Sequence, residues 1–177
     1  VLAFPGLKRQ WHRMVDIVVP SPDLFLREDA IRGGMDLLFF ANTRHLRRAD
    51  EKLAELGMGR AHHRVLYFVQ RKPGLPISGL LAILAITKQS LKRVTHDLIA
   101  RGLIELRHSQ VDRRQRLVHL TEAGSTLERQ LFNELHGSMA QAYAASGGEA
   151  VKGFWIVLQH LIGEEGCEQF RAVQSCK

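Results

Sequence analysis

Apolar positions along the chain recur with two periods, and these divide it into several helices and one short hairpin. From Leu26 to Leu56, Ile31, Met35, Leu38, Ala41, His45 and Leu53 return at helical intervals, while Arg44, Arg47, Arg48, Asp50, Glu51 and Lys52 face elsewhere. Gly33 and Gly34 each weaken that helix by about 1 kcal/mol relative to alanine, and Gly57 and Gly59 punctuate its end. A second helix is predicted over Ala61 to Val69, with Val65, Leu66 and Phe68 toward the core, and it runs into a turn at Pro73 and Gly74. From Ile77 to Gly124 the order is helix, short turn, helix, strand, basic loop, strand. The second helix of this stretch places Leu91, Val94, Leu98 and Ile99 on one stripe. Thr87 is its predicted N-cap, and Gly102 closes it where a positive φ costs glycine little. Leu103 to Leu106 and Leu117 to Leu120 are too short for helices and pair as a hairpin. After Gly124, Leu127, Leu131, Leu135, Met139 and Tyr143 repeat every fourth residue along a long helix, broken at Gly147 and Gly148. A last helix, Glu149 to Ile162, presents Val151, Phe154, Trp155, Leu158 and Leu161. Residues 1–25 carry Pro5, Pro20 and Pro22 without a sustained period and read as an arm, with Phe4 and Trp11 available to pack on a partner. Residues 164–177 read as a C-terminal tail.

Charge sharpens this picture in one place. The 177 residues have a net charge of +7, which favours a polyanionic partner. Between Lys88 and Arg116 there are eight Lys or Arg against three acidic residues, Asp97, Glu105 and Asp112. On the helix, Lys88, Gln89, Ser90, Lys92, Arg93 and His96 lie opposite the apolar stripe, where they can reach phosphates or base edges. At the hairpin tip, Asp112, Arg113 and Arg114 sit between Arg107 and Arg116. Guanidinium groups are almost never fully buried unless paired, so four of them around one tip point to a ligand. A helix in the major groove with a basic hairpin in the minor groove is a consistent geometry for duplex DNA. None of the twelve aromatic residues falls between Lys88 and Arg116, which argues against single-strand or RNA recognition by stacking.

The run ITKQSLKRVTHDLIARGLIE followed by DRRQRLVHLTEAG resembles the winged helix-turn-helix of the MarR family of bacterial transcriptional regulators, and within it the PetP-type branch. The likeness extends back through GRAHHRVLYFVQRKPGLPISGLLAIL and covers most of residues 30–163. Its most specific part is Asp112 to Arg114, then Leu120, Thr121, Glu122 and Gly124. The resemblance implies a mainly α fold with a small β-hairpin wing: a winged helix-turn-helix at 58–122 and a helical dimerisation region at 26–57 and 123–163. It implies a homodimer on a pseudo-palindromic operator, with Arg114 entering the minor groove and Asp112 orienting it. It also implies a small-molecule effector, often an aromatic anion, bound between the dimer helices and the DNA-binding lobe. The last helices carry more apolar surface than one subunit can cover, which also points to a second copy. Ala85 departs from the family, many of whose members have glycine in that turn.

Other chemistries have weaker footing. The chain carries no glycine-rich phosphate loop, nucleophile elbow or closely spaced cysteine pair, so no enzyme and no cofactor is expected. His62 and His63, with His45, raise a metal site, but adjacent helical residues diverge by about 100°. Cys167 and Cys176 fit a reducing cytoplasm rather than a disulfide scaffold. No apolar run nears the roughly 20 residues a membrane helix needs, and the N-terminal order of apolar and basic residues does not suit a signal peptide. A cytoplasmic location is therefore expected. Two alternatives stay open: a winged-helix module that binds an acidic protein, and a regulator that senses metal or redox state.

Overall fold

A computed structural model of the chain describes Ile17 and residues 19–174. Phe4, Trp11 and Cys176 lie outside the described residues. The helices are α1 (Glu28–Glu55), α2 (Arg60–Arg71), α3 (Ile77–Leu84), α4 (Lys88–Ala100), α5 (Glu122–Ser146) and α6 (Gly148–Gln174). Three strands, β1 (Leu75–Pro76), β2 (Ile104–His108) and β3 (Arg116–Leu120), form an antiparallel sheet in the order β1-β3-β2. The fold is therefore mainly helical with a small β wing, as predicted. No helix among the described residues is long and apolar enough to cross a membrane.

The chain divides into two compact units, with the boundary inside α1 between Thr43 and Arg44. In the N-terminal unit a 3-10 turn at Pro22–Leu24 precedes the first part of α1. Its apolar side chains stay open: Ile31, Met35, Leu38, Phe39 and Phe40 are all exposed.

The second unit is built on one core. Leu53 from α1, Val65, Leu66 and Val69 from α2, Leu80 from α3, Leu98 from α4, Val118 from β3 and Leu131 from α5 are fully buried in it. The α4 stripe differs from the predicted one at one position. Leu91, Val94 and Leu98 are buried, but Ile99 is 41% exposed and Thr95 takes its place inside. At roughly 100° per residue, Thr95 lies closer to the centre of the buried arc than Ile99 does. The Thr95 hydroxyl is satisfied locally, donating to the carbonyl of Leu91 at 2.9 Å.

Two elements were not predicted. β1 is a two-residue strand in which Leu75 pairs with Val118, too short to leave a period in the sequence. Pro76 is tolerated there because β1 is an edge strand, and it also opens α3. The second is the end of α6. Gly163 breaks the helix with φ 66° and ψ −173°, but residues 164–174, expected to be a tail, are helical. They are held by tertiary packing: Val173 is buried, and Lys72 Nζ donates to the carbonyl of Ala172 at 3.2 Å.

Candidate nucleic-acid interface

The turn before α4 is tight. Ala85 ends α3 in the left-handed region with φ 50° and ψ 43°, the one non-glycine residue with positive φ among those described. Glycine would adopt that conformation without the side-chain clash. Arg64 supports the same turn, donating from Nη2 to the carbonyl of Leu84 at 2.8 Å. Thr87 then caps α4: its hydroxyl oxygen accepts the Ser90 N–H at 3.1 Å and donates to Ser90 Oγ at 2.8 Å. Both hydroxyls therefore fix where the helix starts. Lys88, Gln89, Ser90, Lys92, Arg93 and His96 are exposed on α4.

The wing tip is organised by its own polar groups. Ser109 is buried, and its hydroxyl accepts the N–H groups of Val111 and Asp112, each at 3.2 Å. Asp112 Oδ1 accepts the backbone N–H of Arg114 at 3.0 Å. The residue expected to orient Arg114 thus acts on its backbone. His108 Nδ1 lies 3.0 Å from the carbonyl of Arg113, and Ser109 N–H donates to the carbonyl of Gln115 at 3.1 Å. These contacts hold Arg113 and Arg114 at the exposed end of the hairpin. Sequence reasoning missed Ser109, whose signal is a Ser three residues before Asp in a glycine-free tip. Beside it, Val111 is 99% exposed.

Ion pairing sorts the eight cations. Arg101 is paired with Asp97, and Arg107 with Glu105. Among the described residues, Lys88, Lys92, Arg93, Arg113, Arg114 and Arg116 meet no carboxylate, so six positive charges face outward. The Arg101 guanidinium holds the Asp97 carboxyl below the usual range.

The wing root explains the Leu-Thr-Glu-x-Gly motif. Thr121 N-caps α5, its hydroxyl accepting the Gly124 N–H at 3.0 Å and donating to the carbonyl of Gly102 at 2.7 Å. A Cβ on Gly124 would lie 1.9 Å from the carbonyl oxygen of Leu103. That glycine is required by close approach, not by ligand chemistry.

A cavity of about 410 Å³ opens between α1, α2 and α5, lined by His45, His63, Arg64, Tyr67, Phe132 and Met139 among others. The buried Nε2 of His63 has no hydrogen-bond partner among the described residues. Burial lowers the pKa of His63, opposed by Asp50, and burial lowers that of His45. His62 faces away from this cavity's imidazoles, toward Asp97 at 3.0 Å. Among the described residues no group of three His, Cys, Asp or Glu could hold a metal ion.

Comparison with known proteins agrees with this geometry. The sequence model of the MarR family matches residues 56–115, from the end of α1 to the wing. The HTH-type transcriptional regulator PetP of Rhodobacter capsulatus is 41% identical over 151 residues, covering 84% of this chain and 91% of that protein. Among solved structures, a mutant MarR from E. coli complexed with operator DNA shares the fold at a TM-score of 0.59 and 22% identity, covering 79% of this chain and 99% of that one. A MarR family regulator from Silicibacter pomeroyi matches at 0.62 and 21%, covering 76% of this chain and 89% of that one. On the length and identity of the match to the PetP regulator, the chain belongs to the MarR family of transcriptional regulators.

Proposed function

We propose that this protein is a homodimeric, sequence-specific regulator that grips a pseudo-palindromic DNA duplex in the cytoplasm and catalyses no reaction. The observation that carries this reading is the set of six unpaired cations shared by α4 and the wing tip. Lys88, Gln89, Ser90, Lys92, Arg93 and His96 meet bases and phosphates in the major groove, with Thr87 setting the start of the helix. Arg113 and Arg114 occupy the minor groove, held there by the turn that Asp112 and Ser109 tie. The MarR complex with operator DNA supports the same use of a shared fold.

Two exposed apolar surfaces support dimerisation. One lies on the first part of α1, the other on α6 at Phe154, Trp155, Ile156, Val157, Leu161 and Ile162. A second copy covering them would set two recognition helices about 34 Å apart, roughly 10 base pairs centre to centre. The region 58–122 is then the reading head, and 26–57 with 123–163 the dimerisation region. The cavity beside His63 is the seat of the effector, because an unpartnered buried imidazole edge offers a polar anchor on an apolar wall.

Selection of bound sequences from a random duplex library tests this. A two-fold symmetric site should emerge, and substituting Gln89 or Arg93 should change the preferred base by about 1–3 kcal/mol at the position read. Recovery of no enriched sequence would refute it. Binding of an acidic protein with the same salt dependence, undiminished by competing duplex, would favour the interaction-module alternative.

A further inference from the structure

Three helix ends are joined through Arg101 and Asp97. α1 ends in two reverse backbone bonds, Gly57 N–H to the carbonyl of Ala54 at 2.9 Å and Met58 N–H to that of Leu53 at 2.8 Å, with Gly57 at φ 65°. The carbonyl of Leu56, two residues on, accepts instead from Arg101 Nη1 at 2.7 Å, at the far end of α4. The Nε of the same guanidinium donates to Asp97 Oδ2 at 2.9 Å. That oxygen also lies 3.0 Å from His62 Nε2, in the first turn of α2. The other ring nitrogen, Nδ1, accepts the Gly59 N–H at 3.1 Å. An Nδ1 that accepts leaves the ring proton on Nε2, so His62 donates to Asp97. A rigid guanidinium fork, one carboxylate oxygen and a tautomer-locked imidazole thus tie the ends of α1, α2 and α4 together.

Stability does not account for this cluster. Asp97 and Arg101 are each more than a third exposed, and ion pairs at that exposure contribute little to folding. What the cluster supplies is direction. The Arg101 fork must satisfy the Leu56 carbonyl and Asp97 together, which fixes the roll and tilt of the last turn of α4 against the end of α1. We propose that Asp97, Arg101 and His62 form a positioning joint for the recognition helix, so that tolerance of half-site spacing is set by residues that touch no DNA. This rests on the dimeric DNA-binding reading above. It also gives a signal arriving along α1 a direct path to the reader, because Leu56 follows the last residue of that helix.

The test uses the full chain and a panel of duplexes whose half-sites are brought one or two base pairs closer or moved apart. Wild type should lose about tenfold in affinity per base pair of misplacement, the scale of one lost specific contact. Asp97→Asn and Arg101→Gln should flatten the profile to within about threefold across the panel, as expected when a rigid reader becomes adjustable. His62→Gln, which keeps an N–H near the place of Nε2, should retain the wild-type profile, whereas His62→Asn, which keeps only the cap on Gly59, should flatten it. Arg60→Gln is the control: it removes an ion pair to Asp50 at the same junction without touching α4. Should Asp97→Asn unfold the chain, Arg101→Lys keeps the charge and removes the fork. Unchanged profiles in the Asp97 and Arg101 variants, or equal flattening by Arg60→Gln, would overturn the joint. If wild type binds duplex with no spacing preference, the joint is overturned; if it binds no duplex at all, the DNA reading fails, and amide exchange at 97–102 decides the joint alone. Faster exchange in Asp97→Asn upholds it, and unchanged exchange overturns it.

Discussion

Two stretches of this molecule are rich in cations and use them in opposite ways. Between Arg44 and Arg64 there are six Lys or Arg and three acidic residues, and between Lys88 and Arg116 eight and three. In the first stretch five of the six cations are engaged. Arg47 meets Glu51, Arg48 and Lys52 meet Glu134 on α5, Arg60 grips Asp50, and Arg64 caps α3. In the second stretch only Arg101 and Arg107 find carboxylates. A charge count therefore says little about where a polyanion docks. The partners decide, and the ones that silence the first stretch come partly from α5, more than eighty residues away.

The free cations of the wing depend first on the scaffold beneath them. Gly124→Ala would push a methyl group into the Leu103 carbonyl at the root of the wing. The cost should be on the order of 3 kcal/mol in denaturant unfolding, with loss of duplex binding although no cation has changed. A Gly124→Ala protein as stable as wild type would mean that the wing root yields easily. Next come the charges themselves. Changing Arg113, Arg114 and Arg116 together to Gln should lower the slope of log affinity against log salt by about 2.7, or 0.9 per phosphate contact. Changing Arg47, Arg48 and Arg60 to Gln should leave that slope nearly unchanged and cost about 1 kcal/mol of stability. Equal slopes for the two triples would erase the distinction.

The smallest effect concerns an anion without such a use. Glu128 is buried on α5, and burial raises its pKa, against a lowering influence of Arg129. The folded protein favours the protonated acid, so stability from this group is complete below the unfolded pKa and is lost as pH rises through the folded one. Glu128→Gln should therefore raise the melting temperature at neutral pH, and the gain should shrink to nothing as the pH falls below the ordinary glutamate range. A gain that persisted there would assign the effect to packing.

Local chemistry made much of the reading head legible. Thr87 and Gly102 bracket α4 because a cap and a left-handed exit are decided within one turn of the chain. The wing was readable from two short apolar runs around an arginine tip. Less legible were features whose cause lies elsewhere in space. Thr95 displaced Ile99 from the core, β1 exists only because β3 lies beside it, and residues 164–174 are helical against α2 rather than a tail.

What the sequence determined by itself is the list of helices, the polar face of α4 and the arginines of the tip, since periodicity and capping act over a few residues. The tertiary structure alone decided that Arg48 and Lys52 are engaged by Glu134 and Arg64 by the end of α3. It also decided that Arg101 and Asp97 together join the ends of α1, α2 and α4, because the hydrogen bond from Arg101 to Leu56 joins residues 45 positions apart, and no local pattern carries that distance.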